Sequence, residues 1–180
     1  WLSGDGTRLL LLRDGGVAPV QRRLRHVVLF LLTVACSLGA GAMLAGEWLP
    51  WSGPGLAGAV AGAARFFIDL PLGAWREILP GWSFALPLRT ILMCHELGHY
   101  VMARRYHIDA SWPYFLPVPP PLSPIGSLGA FIRLRSPVLD RRQLLDVGAA
   151  GPIAGFLVAI PALLWGYSIS VPAPGFHATG

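Results

Sequence analysis

Thr90-Ile91-Leu92-Met93-Cys94-His95-Glu96-Leu97-Gly98-His99-Tyr100-Val101-Met102 sets two histidines and a glutamate inside an apolar run. Histidines four apart in an α-helix project from the same face one turn from each other, so both imidazoles can reach one metal ion. Glu96 follows the first of them. In this pattern the glutamate stands beside the remaining coordination position and takes a proton from the water held there, an arrangement for metal-assisted hydrolysis. The same string arises by chance on soluble helices. Here the setting argues otherwise: Ser83 to Ala103 is apolar apart from Arg89, His95, Glu96 and His99, and is long enough to cross a bilayer at ~1.5 Å per residue. A carboxylate near the middle of such a span costs roughly 2.5 kcal/mol or more, so it is seldom present without a partner or a job.

Outward from this stretch, composition describes a membrane protein. Of the 180 residues 54% are hydrophobic and 13% charged, and the formal charge of +5 rests on arginine alone, with no lysine and no asparagine. The arginines gather beside hydrophobic runs as membrane-flanking charges do, which speaks against nucleic acid as a partner and for the lipid bilayer. Cys36 and Cys94 each lie within an apolar segment and read as small packing residues.

The expected fold is an all-α polytopic membrane protein with a small β-hairpin or extended loop beside the site. Residues 1–26 read as an extramembrane arm and 27–180 as the membrane-embedded core; with Trp1 first and a Pro/Gly stretch last, the chain reads as truncated at its C-terminal end. Three transmembrane helices are expected, over Val27–Gly46, Ser83–Ala103 and Val147–Val171. Leu56 to Ile68, interrupted nearby by Arg65, Asp69 and Pro71, reads as a re-entrant or surface-lying piece, with a short tilted helix as the alternative. Ser83 is expected to cap the motif helix, Ser136-Pro137 to start the last one, and Asp146 to cap its entrance. Arginines lie before the first span and between the second and third, so the positive-inside rule puts the N-terminal arm and the long second connection on the cytoplasmic side. His26 reads as interfacial, and His107 and His177 as solvent-facing.

Trp112 to Pro121 holds too many prolines for a helix and must be extended or polyproline-like. Ala130 to Arg135 alternates as a strand does. Its edge would suit either a substrate segment added as a further strand or a plain structural hairpin, and the pattern does not choose between them. Gly148, Gly151 and Gly155 form a small-residue strip that would let the last helix approach the one carrying His95.

His95-Glu96-Leu97-Gly98-His99-Tyr100, Phe115-Leu116-Pro117-Val118-Pro119, Ile125-Gly126-Ser127-Leu128-Gly129-Ala130-Phe131-Ile132 and Asp146-Val147-Gly148-Ala149-Ala150-Gly151-Pro152-Ile153-Ala154-Gly155-Phe156 together resemble the site-2 protease family of intramembrane zinc metalloproteases, most closely its bacterial and plastid members lacking a PDZ domain. The match runs from about Gly81 to Val171. The resemblance implies His95 and His99 as ligands of Zn2+, Glu96 as catalytic base, and Gly151 and Pro152 as structural support. It implies a membrane-protein substrate cut within a transmembrane helix, with Gly126, Gly129, Ala130 and Phe131 as the candidate substrate-binding segment. A multi-pass protein of the bacterial cytoplasmic membrane is expected. The family's third ligand is an aspartate in a Leu-Asp-Gly motif on a later helix, and these 180 residues contain no such motif. The alternative is therefore a catalytically inactive relative that binds transmembrane segments without cleaving them. A metal transporter would need polar residues along a path through several helices, and outside the motif helix the spans offer none.

Overall fold

The computed structural model describes residues 23–48, 53–136 and 140–170. Chain order is α1 (Arg23–Leu44), α2 (Gly55–Asp69), a 3-10 turn (Leu70–Leu72), α3 (Trp75–Ile78), a second 3-10 turn (Leu79–Gly81), α4 (Trp82–Arg105), β1 (Tyr114–Pro117), β2 (Ser127–Phe131) and α5 (Arg141–Ile169). Among the described residues three segments are long and apolar enough to cross a membrane: Leu24–Leu44, Gly55–Leu72 and Arg141–Ile169. The expectation of a mostly helical membrane protein with one hairpin is met. The membership of the trio differs from the expected one.

Leu56–Ile68, expected as a re-entrant or surface-lying piece or else a short tilted helix, lies within a continuous helix that, with its 3-10 extension, reaches crossing length. Arg65 does not interrupt it, because arginine is a good helix former whose long side chain can leave an apolar face. The motif helix α4 spans 24 residues yet falls outside the apolar trio, since it carries Arg89, His95, Glu96 and His99. Arg89 and Glu96 are only 5% and 6% exposed, so protein and not lipid surrounds these polar groups.

The expected helix caps move. α4 begins at Trp82, and Ser83 makes no cap bond; the 3-10 turn runs straight in, with the Trp82 N–H bonded to the Leu79 carbonyl. α5 starts at Arg141 with Asp140 as cap, its carboxylate accepting from the Arg142 N–H at 3.0 Å. Ser136 instead accepts the Asp109 N–H at 3.3 Å, and Pro137 lies outside the described residues. Asp146 caps nothing either. Its carboxylate accepts from the Tyr106 hydroxyl, tying the end of α4 to α5 and holding the phenol above the usual tyrosine range.

The hairpin is antiparallel, with Tyr114 opposite Phe131, Phe115 opposite Ala130 and Pro117 opposite Ser127. It therefore opens earlier than the expected Ala130–Arg135. The remainder of that segment pairs separately, through the Ala110–Leu134 bridge and the bonds Ser111 N–H to Arg133 O and Arg135 N–H to Asp109 O. Pro113 breaks the ladder between the two pieces, for it has no N–H to donate.

Two close approaches set the helices. Around Gly81 and Gly41 the start of α4 lies against α1, so that a Cβ on Gly81 would overlap the Leu38 carbonyl. At Gly98 the backbones of α4 and α5 meet, and a Cβ there would overlap Ala150 O. β1 packs on α1, with Phe30 and Phe115 rings edge to face at 5.2 Å. His26 is buried against protein: it is 9% exposed, its Nδ1 lies 3.2 Å from Pro113 O and its ring 4.1 Å from that of Tyr114. The bend that brings β1 back over the start of α1 covers it. His107 is exposed, as expected, and His177 lies outside the described residues.

Candidate metal centre

Helical spacing on α4 brings the His95 and His99 rings to a centroid distance of 4.8 Å, with their Nε2 atoms 3.1 Å apart. The second helix decides what those nitrogens are. His99 Nδ1 lies 2.7 Å from Val147 O on α5. A carbonyl only accepts, so Nδ1 carries the proton and His99 Nε2 is left as a bare lone pair. Two nitrogens each ~2.0–2.1 Å from one ion at a tetrahedral angle lie roughly 3.3 Å apart, close to the spacing found. The donor set fits zinc, which His95 and His99 would hold, with Val147 O in the supporting role that orients such ligands.

Glycines make room for this pair. A Cβ on Gly151 would overlap His99 Nε2, Cδ2 and Cε1, and one on Gly155 would sit 3.3 Å from His95 Cβ. Of the expected strip, Gly151 and Gly155 thus seat α5 against the two histidines, whereas a Cβ on Gly148 would meet nothing within 4 Å. Pro152 is exposed on α5. Having no N–H, it leaves the Gly148 carbonyl without its usual helical partner.

Glu96 and His99 of α4, Ala130 and Phe131 of β2, and Val147 and Gly148 of α5 line an open cleft of about 340 Å³. The expected substrate segment therefore divides. Ala130 and Phe131 face the cleft. Gly129 and Gly126 do not line it: Gly129 has φ +104 and open space around its Cα, while Gly126, at φ +72, packs on the Cys36 backbone of α1 where a Cβ would overlap Cys36 C and O. Gly126 serves the passage of the loop beneath α1.

Residue patterns missed two supports of the site. One is Val147, which acts through a backbone oxygen and so carries no signal in its side chain. The other is the stacked series Phe131, Tyr114, His26, in which Phe131 and Tyr114 lie 5.4 Å apart at 20° and His26 abuts Tyr114. A buried histidine thirteen residues before Gly39 offered no pattern to read. Cys36 is buried and Cys94 half-buried, both as free thiols, in keeping with packing roles. Among the described residues no cluster of three or more His, Cys, Asp or Glu side chains is placed to hold a metal ion, so the pair gains no third such ligand there.

The model of peptidase family M50 matches residues 83–175, more than half of the chain and the part that builds this centre. The chain belongs to peptidase family M50, the site-2 protease family. Among curated M50 relatives, "Probable zinc metalloprotease EGY2, chloroplastic" of Arabidopsis thaliana is 40% identical over 91 residues, covering 51% of this chain and 15% of that protein. Its namesake in Oryza sativa subsp. japonica is 41% identical over 91 residues, covering 51% and 16%. "Probable zinc metalloprotease EGY1, chloroplastic" of Arabidopsis thaliana is 29% identical over 151 residues, covering 80% and 25%. The chain thus spans a quarter or less of the length of these relatives. No solved structure matches. All the M50 relatives named are chloroplastic, so the expected bacterial membrane finds no support among them.

Proposed function

We propose that this chain forms the metal-holding core of an intramembrane zinc metalloendopeptidase that cleaves transmembrane segments of membrane proteins. The observation that carries the reading is the His95–His99 pair: two facing Nε2 atoms, that of His99 left free to accept because its Nδ1–H donates to a backbone carbonyl, beside a buried glutamate on the wall of a cleft. The names of the plant relatives agree with zinc and with proteolysis.

His95 and His99 would hold the ion, and Zn2+ bound there would supply Lewis-acid activation of water and of the peptide carbonyl. The chain's own residues do the rest. Glu96 accepts the proton of the attacking water and returns it to the leaving amide nitrogen. Burial excludes bulk water from that carboxylate, and Val147 O holds His99 in one orientation. A substrate helix has its carbonyls already hydrogen-bonded, so it must unwind before attack. β2 offers the unwound stretch an edge: within the two-stranded sheet it pairs only with β1, and Ala130 and Phe131 line the same cleft as Glu96. With His99 six residues before Arg105, the centre lies about 9 Å from the arginine-bearing end of α4.

A second reading, a relative that binds transmembrane segments without cutting them, is favoured by the lack of a third His, Cys, Asp or Glu ligand among the described residues. The full-length protein, reconstituted in liposomes with a single-span reporter whose transmembrane helix contains a Gly-Pro pair, separates the two. Cleavage is expected, stopped by 1,10-phenanthroline and restored by added zinc. Cleavage indifferent to the chelator would contradict the zinc reading, and stable reporter binding with no cleavage at any zinc level would favour the second.

A further inference from the structure

Seven residues before Glu96, two turns away along roughly the same face of α4, lies a buried charge that the mechanism leaves unused. Arg89 is 5% exposed, and its guanidinium is only partly satisfied. Nε donates to Ser37 Oγ at 2.9 Å, Nη2 donates to the same oxygen and approaches Ile125 O at 3.5 Å, and Nη1 is enclosed with no acceptor among the described residues. No carboxylate among the described residues pairs with it. A guanidinium held inside a membrane span without an anion is costly, and this one does not escape to the surface as arginines near helix ends do.

Arg89 also forms part of the wall of an apolar cavity of about 470 Å³ between α1 and α4, lined by Val34, Leu38, Trp82, Leu86 and Met93 among others. That volume lies within the range of small-molecule sites, about 300–1,000 Å³. Past Phe30 and Met93, which both cavities share, a smaller one of about 190 Å³ continues as far as Leu97 and Trp112. From Arg89 to Leu97 the slot follows α4 for about 12 Å, close to the ~15 Å depth of one leaflet's hydrocarbon. Its shape takes one extended chain; its single charge asks for one anion.

We propose that the α1–α4 slot binds a long-chain carboxylate, with the acyl chain along the apolar walls and the head paired with Arg89. Depth favours a free carboxylate over a phospholipid. Trp82 and Trp165, with rings 5.7 Å apart, mark the interface as paired tryptophans do, and Arg89 lies about 10 Å further along α4, below the level of headgroup phosphates. The slot is separate from the cleft, so binding there is measured without reference to proteolysis. Because Arg89 also reaches Ser37 and Ile125, occupancy would bear on how firmly α1 and the loop before β2 are held against α4.

Native mass spectrometry of the full-length protein in detergent, titrated with oleate, methyl oleate or phosphatidylglycerol, tests the assignment. Oleate is expected to bind about tenfold or more tightly than its uncharged ester, as a charge-assisted hydrogen bond gives. Arg89→Gln should erase that preference. Should that variant not fold, Val34→Phe, which fills the slot and keeps the arginine, should weaken both oleate and methyl oleate. Equal binding of acid and ester, a preference that survives Arg89→Gln, binding unchanged by Val34→Phe, or phosphatidylglycerol matching oleate would each overturn it.

Discussion

Glu96→Gln in the full-length protein is expected to keep zinc and lose about 10²- to 10⁴-fold in the rate of peptide-bond cleavage, the range that a positioned acid–base group contributes. Glutamine has nearly the shape of glutamate, so the cleft wall it forms with His99, Ala130 and Phe131 should persist. What it lacks is a basic oxygen able to take up and return a proton. The glutamate is also not one of the two facing nitrogens, so metal content should not follow activity. Single-turnover cleavage beside zinc analysis of the same sample checks both halves. Loss of zinc with loss of activity would make Glu96 a ligand, and full activity would remove it from the chemistry.

Gly151→Ala should damage the centre from the other helix. Its added methyl would occupy the space of the His99 imidazole, on both sides of Nε2. Either the ring turns away and gives up its bond to Val147 O, or α5 withdraws from α4 and breaks the approach at Gly98. Loss of a partner that orients a metal-binding histidine typically weakens metal affinity about 10- to 100-fold, and zinc affinity is expected to fall by that much. Gly166→Ala is the matched control, since a Cβ there meets nothing within 4 Å and zinc affinity should not change. A chelator competition titration of the two variants reads the difference directly.

Much of this was legible because it depends on residue type and spacing. A four-residue interval on a helix sets His95 over His99 wherever the helix sits, and a stretch as apolar as Leu24–Leu44 declares its length. The small-residue strip on α5 announced close packing. Which of its glycines would face the imidazoles depended on rotation of α5 about its axis, which a sequence pattern leaves free; Gly151 and Gly155 do so and Gly148 does not.

The remainder was set by tertiary contacts. Ser83 had the chemistry of a cap, yet a 3-10 turn already supplied a carbonyl to the first turn of α4. Asp146 also had that chemistry, but it lies a turn inside α5 and within reach of Tyr106. The strand expected at Ala130–Arg135 began three residues earlier because its partner, not its own alternation, determined where pairing could run, and Pro113 divided it. Val147 O was beyond any residue-based reading, since every residue carries a carbonyl. The same holds for Arg89: its position in the apolar run was visible, but its burial against Ser37 was not.

The account stands on His95 and His99 sharing one ion, and zinc content of the full-length protein purified from zinc-supplemented cells tests that most directly. One zinc per chain is predicted for the wild type and for Glu96→Gln, and none for His95→Ala or His99→Ala. Zinc retained at one per chain after either histidine is removed, or absent from the wild type, would contradict it.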